Sequence, residues 1–317
     1  MAHNICDDNA IFYVGEKPWH GIGTELKNPA TAEEAIISAK LNYNIELTDL
    51  HTSKKTLENH KATIRTDNHN ILGVVSPKYQ IIQNQEAFGF FDAVVGQKLA
   101  IYHTAGALGL GERIWLLAKL PSDIIVKGND VVEKYLCLTS SHDGKSALRM
   151  YFTPIRVVCQ NTLNASLQRG EGISIRHSGD IQLKVAEAQR ILGISIEYYK
   201  EFEGIIQNLA QKPFNTENAE LYFKHVLFGQ QIPEEMSTQA ENKLNKMLYL
   251  FDKGKGNDLP GIRHTAWAAY NAVTEMVDHH GTIKNMQSDP TNRLKNIWFG
   301  AGANLKERAF EEAVALL

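Results

Sequence analysis

The sequence is short of cysteine. Its 317 residues include only Cys6, Cys137 and Cys159, and no CxxC pair. That excludes a disulfide framework and fits a reducing compartment. No apolar run approaches the roughly 18 residues needed to cross a bilayer. The N-terminus, MAHNICDDNAIFYVG, has acids where a secretory leader has a basic run. The expected location is therefore the cytoplasm, with no membrane partner. Charge of one sign is also lacking. The formal net charge is −3, so a nucleic-acid or membrane partner would have to be served by a local patch. There is no internal repeat and no low-complexity segment. Enzyme signatures are missing too. GALGLGE places glycines at 106, 109 and 111, but no GKS/T follows and a strand comes next. A hairpin turn is expected there, not a phosphate loop. Asp278, His279 and His280, with His264, lack metal-ligand spacing, so an ordinary helix end and no metal are expected.

What is present is an ordinary globular balance, 43% hydrophobic and 22% charged. Residues 1–30 read as an irregular arm, in which Trp19-His20 would pin the arm to the core. TAEEAIISAKL reads as a short helix, with Thr31 as cap and Glu34 completing a capping box. Residues 43–83 read as strands, and 84–95 as a helix with Phe88, Phe91 and Val95 on one face and Asn84 as its cap. Residues 98–158 have the pattern of an antiparallel sheet. Its core residues are expected to include Phe88, Phe91, Trp115, Leu117 and Leu138. CQNTLNASLQRG then reads as a helix capped by Asn161 or Thr162. From Leu183 onward, Ile191, Ile194, Tyr198, Phe202, Ile205 and Leu209 mark a long amphipathic helix. Three more helices are read at AENKLNKMLYLFDKG, HTAWAAYNAVTEMVDHHG and LKERAFEEAVALL. The expected class is α+β: an antiparallel sheet flanked by helices, with a helix–strands–helix core, followed by a mainly helical C-terminal part. The expected boundary divides residues 1–180 from 181–317.

The strongest local signal is electrostatic. Between Gly144 and His177 lie Lys145, Arg149, Arg156, Arg169 and Arg176 against a single acid, Glu171, with Tyr151 and Phe152 interleaved. Cations track phosphates and aromatic rings stack on unpaired bases, which suits single-stranded nucleic acid. The bland alternative is a solvated strand face with two core aromatics. Arg156 follows Pro154 and is equally readable as a buried structural arginine paired with Asp143. LTSSHDGKS gathers Ser140, Ser141, His142, Asp143 and Lys145, but adjacent residues in a turn rarely reach catalytic geometry. A thiol–imidazole pair of Cys159 and His142 is the other enzymatic option.

PWHGIGTEL, VSPKYQIIQNQEAFGFFDAV, AGALGLGERIWLLAKLP, LTSSHDGKSALRMYFTPIRVVCQNTLNASL, IRHSG, HTAWAAYNAVTEMVDHH and NIWFGAGANLKERA, in that order, resemble the phage/plasmid-like proteins of the DUF932 group. The resemblance implies a gene of a phage, plasmid or other mobile element in a bacterial cell. It assigns no function. The element order of residues 84–170 is similar to the core of Rad-52-like and RecT/Red-beta single-strand annealing proteins. That likeness implies an oligomer that anneals single-stranded DNA without hydrolysing nucleotide and without a cofactor or catalytic residue. Lys145, Arg149, Arg156, Arg169 and Arg176 would hold phosphates, and Tyr151 and Phe152 would stack or pack. RNA is an open second ligand. An enzyme centred on His142, Asp143 and Cys159, and an anti-defence or structural interaction protein, remain the competing readings.

Overall fold

Short runs rich in apolar and β-branched residues, separated by glycine-containing turns, build most of the first half of the chain into sheet. The computed structural model describes residues 6, 10–14, 23–28, 30–94, 101–156, 161–162, 173–174, 181–281, 296–297 and 300–317. Helix α1 (Ala32–Ser38) begins with the expected capping box, the Thr31 side chain taking the Glu34 amide and Glu34 taking the Thr31 amide. Strands β3 (Ile45–His51), β4 (Thr56–Arg65) and β5 (Ile71–Val75) form a three-stranded antiparallel sheet, ordered β3-β4-β5. Helix α2 (Asn84–Val94) follows.

The main sheet has seven strands. Its centre is the antiparallel set β6 (Ile101–Leu108), β7 (Arg113–Lys119), β10 (Tyr135–Ser141) and β11 (Arg149–Phe152), flanked by β14 (Ile173–Ser174) on one side. On the other side lie two strands from the segment read as an irregular arm. Strand β1 (Ile11–Val14) pairs antiparallel with β6, and β2 (Thr24–Leu26) pairs parallel with β1. The four apolar residues of β1 are too few to show a period, but their burial beside β6 explains why they order. Trp19 and His20 lie outside the described residues. A third sheet is ordered β13-β12-β9-β8, from β8 (Ile124–Val126), β9 (Asp130–Glu133), β12 (Ile155–Arg156) and β13 (Asn161–Thr162). Asn161 and Thr162, expected to cap a helix, pair instead with Arg156 and Ile155; residues 163–172 lie outside the described residues.

Register decides what each face of the main sheet carries, because paired residues share a face and neighbours alternate. Tyr102 pairs with Ala118, Ala105 with Leu116, Leu116 with Leu138, and Leu138 with Met150. Tyr102 packs on Phe88 and Phe91 of α2 and donates its hydroxyl to the Phe88 carbonyl. This face is therefore the helix-covered one. Trp115 and Leu117, expected beside Phe88 and Phe91, are buried but point to the opposite face. Trp115 pairs with Gly106 there, and a Cβ on Gly106 would come within 3.0 Å of the indole.

The remainder is helical: α3 (Ile181–Gln211), α4 (Thr216–Phe228), α5 (Thr238–Lys253), α6 (Ala266–Glu275) widening into a π-helical turn at Met276–His280, and α7 (Ala301–Val314). Helix α4 escaped the sequence reading. Element type does change at residue 181, yet the core does not divide there. One cluster runs from Phe12 and Leu116 through Tyr198 and Phe202 to Trp267 and Phe310. Tyr199 donates to the Tyr135 carbonyl at 2.6 Å, and the Trp267 indole donates to Asp130 Oδ2 at 2.8 Å. Cys6 and Cys137 are buried free thiols, and burial pushes the Cys137 thiol up to about 12; Cys159 lies outside the described residues. Among the described residues no helix is long and apolar enough to cross a membrane.

Candidate anion-binding interface

On the face opposite α2, the β7–β10–β11 register brings distant residues together. Arg149 pairs with Thr139, Tyr151 with Cys137, and Ser141 with Arg113. Side chains of Arg113, Thr139, Arg149 and Tyr151 therefore rise from the same face. With Ser140, Lys145 and Ser146 they line a depression of about 230 Å³ that holds three cationic residues and, among the described residues, no acid. Asp143 Oδ2 lies 3.7 Å from the Lys145 ammonium, a side chain 79% exposed. Burial pushes the Tyr151 hydroxyl above its ordinary pKa; Arg149, the Thr139 hydrogen bond and Arg113 pull it back without overcoming that. Tyr151 thus remains a neutral phenol beside two guanidiniums. Hydroxyl donors beside clustered cations suit a phosphodiester.

The loop that presents Lys145 is held from four points. His142 donates its amide to the Glu112 carbonyl at 2.7 Å, and its own carbonyl accepts from Thr63 Oγ1 at 2.7 Å. The Tyr79 hydroxyl donates to the Ser141 carbonyl at 3.0 Å, and the Ser146 amide donates to Ser141 Oγ at 3.0 Å. Gly144, in the Asp-Gly turn, has φ +73, the left-handed conformation the turn requires. Strand β5 presses on this loop so closely that a Cβ on Gly73 would come within 2.5 Å of Asp143 Cα. Gly73→Ala should therefore displace residues 142–146 and cost about 1–3 kcal/mol, as overpacking does. A denaturation midpoint equal to wild type, with unchanged hydrogen exchange in the loop, would remove this clamp from the account.

His142 itself is buried, 1% exposed, between the two sheets. Its Nε2 lies 2.9 Å from Asn84 Oδ1, while Asn84 Nδ2 donates to the Leu41 carbonyl. Asn84, expected as a helix cap, is thus turned inward as a bridge. Since the Asn84 oxygen can only accept, His142 carries its proton on Nε2. Burial drives its pKa down to about 4, against a small opposing pull from Asp143.

The seven residues read from sequence do not form one array. Lys145, Arg149 and Tyr151 converge. Phe152 alternates to the other face and packs on Tyr198 and Tyr199 of α3, ring centroids 4.6 and 6.1 Å away. Arg156 belongs to the four-stranded sheet, its backbone paired with Val132 and Asn161. Arg169 and Arg176 lie outside the described residues, as does Cys159. Arg113 was missed, because it sits on another strand and only the register brings it to Arg149. The described residues contain no group of three or more His, Cys, Asp or Glu side chains arranged to hold a metal ion.

The family model for DUF932, a domain of unknown function, matches residues 71–298. The chain belongs to the DUF932 family. No curated protein and no solved structure matches it. The DUF932 match takes in β5, α2, β6, β7, β10 and β11, and with them the basic depression and the β5 residues that clamp its loop.

Proposed function

We propose that this DUF932 protein binds single-stranded nucleic acid through the Arg113–Lys145–Arg149 depression and promotes strand annealing as an oligomer in a mobile-element recombination setting. The observation that carries the reading is the convergence of three cations and the Tyr151 phenol on one sheet face of a chain whose net charge is −3. The order of α2 followed by antiparallel strands is consistent with it, and holding strands for annealing is binding work that needs no catalytic group. A backbone contact of this kind reads phosphates and gives little sequence preference.

The test is fluorescence anisotropy of a labelled oligonucleotide over a salt series. Each phosphate engaged on a single strand contributes roughly −0.7 to the slope of log K against log salt, so three cations give about −2 per subunit. Arg149→Ala and Arg113→Ala should each weaken binding for all sequences and flatten the slope by about 0.7, with melting temperatures near wild type. Absence of salt-dependent binding at micromolar protein would end the nucleic-acid reading.

A further inference from the structure

A second, larger cavity of about 760 Å³ lies in the helical part, between α5, the π-helical turn and the start of α7. Helix α5 has two faces. Leu244, Met247, Leu250 and Phe251 are buried in the core. Gln239, Asn242, Lys243 and Lys246, spaced three and four apart, line the cavity from the other face. His280 of the π-helical turn lies beside the two lysines, and among the described residues no acid lines the cavity. Its floor is apolar, formed by Met276, Val277 and Leu305.

Lys243 is exposed, and among the described residues neither Lys243 nor Lys246 makes an ion pair; the Lys246 ammonium rests 5.1 Å from the Tyr249 ring. His280 lies 3.7 Å from Glu275. Helix α7 starts at the cavity wall. Its N-cap, Gly300, provides no side-chain acceptor, and the Gly302 amide is taken by Asn296 Oδ1 at 3.1 Å. The positive end of α7 adds to the field of the lysines. The volume falls within the range of small-molecule sites.

We infer that this cavity binds a nucleoside phosphate: Lys243 and Lys246 hold the phosphate, the Met276–Val277–Leu305 floor takes the planar base, and Asn242 and Gln239 meet polar edges. The site is distinct from the sheet depression and carries binding only, with no reaction assigned to it.

The experiment is isothermal titration of the full chain with ADP and, separately, with inorganic phosphate. ADP should bind, and more tightly than phosphate, since only ADP uses the floor. The Lys243→Ala/Lys246→Ala variant, which alters no buried side chain and should melt as wild type, should lose about tenfold or more in ADP affinity, as expected for lost charge-assisted hydrogen bonds. Leu305→Asp should also abolish ADP binding; Leu305 is only half-buried, and its folding is checked by circular dichroism. Arg149→Ala should leave ADP affinity unchanged. No ADP binding at millimolar concentration overturns the inference, and so does a lysine double variant that binds like wild type. Equal affinity for phosphate and ADP removes the base-binding floor. Loss of ADP binding in Arg149→Ala would move the ligand to the sheet and overturn this site. Failure of DNA binding alone leaves the outcome here unaffected.

Discussion

Lys306→Met should destabilise the protein by about 3–5 kcal/mol, the cost of stranding a buried charge. The Lys306 ammonium is 1% exposed and donates to Asp278 Oδ1 at 2.8 Å, between α7 and the π-helical turn. Burial holds Lys306 below its ordinary pKa even with Asp278 beside it. Removing the cation takes from the buried Asp278 carboxylate the ammonium that donates to it. The pair as such is not the source of stability, because desolvating two ions offsets most of their attraction. Lys306→Met with Asp278→Leu should therefore recover most of the single-variant loss. Urea denaturation of wild type, the single variant and the double variant decides it. A double variant as unstable as the single one would show that the pair is an irreplaceable part of the fold.

Acid should destabilise the protein well before its carboxylates titrate, and His142 should account for a large part of that. Its folded-state pKa is about 4 against an ordinary 6.5. Above pH 6.5 the ring is neutral in both states, and the favourable neutral burial is fully retained. Between pH 6.5 and 4 the unfolded chain takes up a proton that the folded chain refuses, so stability falls by about 1.4 kcal/mol per pH unit from this group, roughly 3 kcal/mol in all. Below about pH 4 the contribution is gone and the slope from His142 vanishes. His103, also depressed mainly by burial, adds in the same direction. His142→Gln sets an amide nitrogen near the place of the ring Nε2, where it can still donate to Asn84, and cannot titrate. Whatever its stability at neutral pH, its curve between pH 6.5 and 4 should be flatter than wild type by about 1.4 kcal/mol per unit. Parallel curves would mean that the ring is protonated in the folded protein.

The sequence was most legible where a single period ran long. The steps between Ile191, Tyr198, Phe202 and Leu209 locate α3, and the Thr31–Glu34 box locates α1 to the residue. Glycine turns at 109, 111 and 144 mark the hairpins because only a positive φ closes them there. Short pieces were not legible. Strands β1 and β13 are four and two residues long, and what makes them strands is the partner beside them, not their own pattern. The basic site was half legible for the same reason. A linear count of cations from Lys145 to Arg176 ignores that a strand sends alternate residues to opposite faces. Alternation keeps Arg149 with Tyr151 and sends Phe152 to α3. Arg113 joins only through a register that no local window contains. His142 looked chemical in the turn SSHDGKS, whereas the structure turns it inward to Asn84.

The continuous core has a consequence for how the molecule comes apart. Phe152 on β11 packs against Tyr198 on α3, Trp267 on α6 is tied to Asp130, and Gln207 of α3 donates to the Ile125 carbonyl. The change from sheet to helix at residue 181 is therefore no seam. Neither half keeps its apolar faces covered without the other, so a single unfolding transition is the expected result, checked by coincident urea curves from far-UV circular dichroism and aromatic fluorescence. A cut between the sheet half and the helical half would release two partners that each need the other to remain folded.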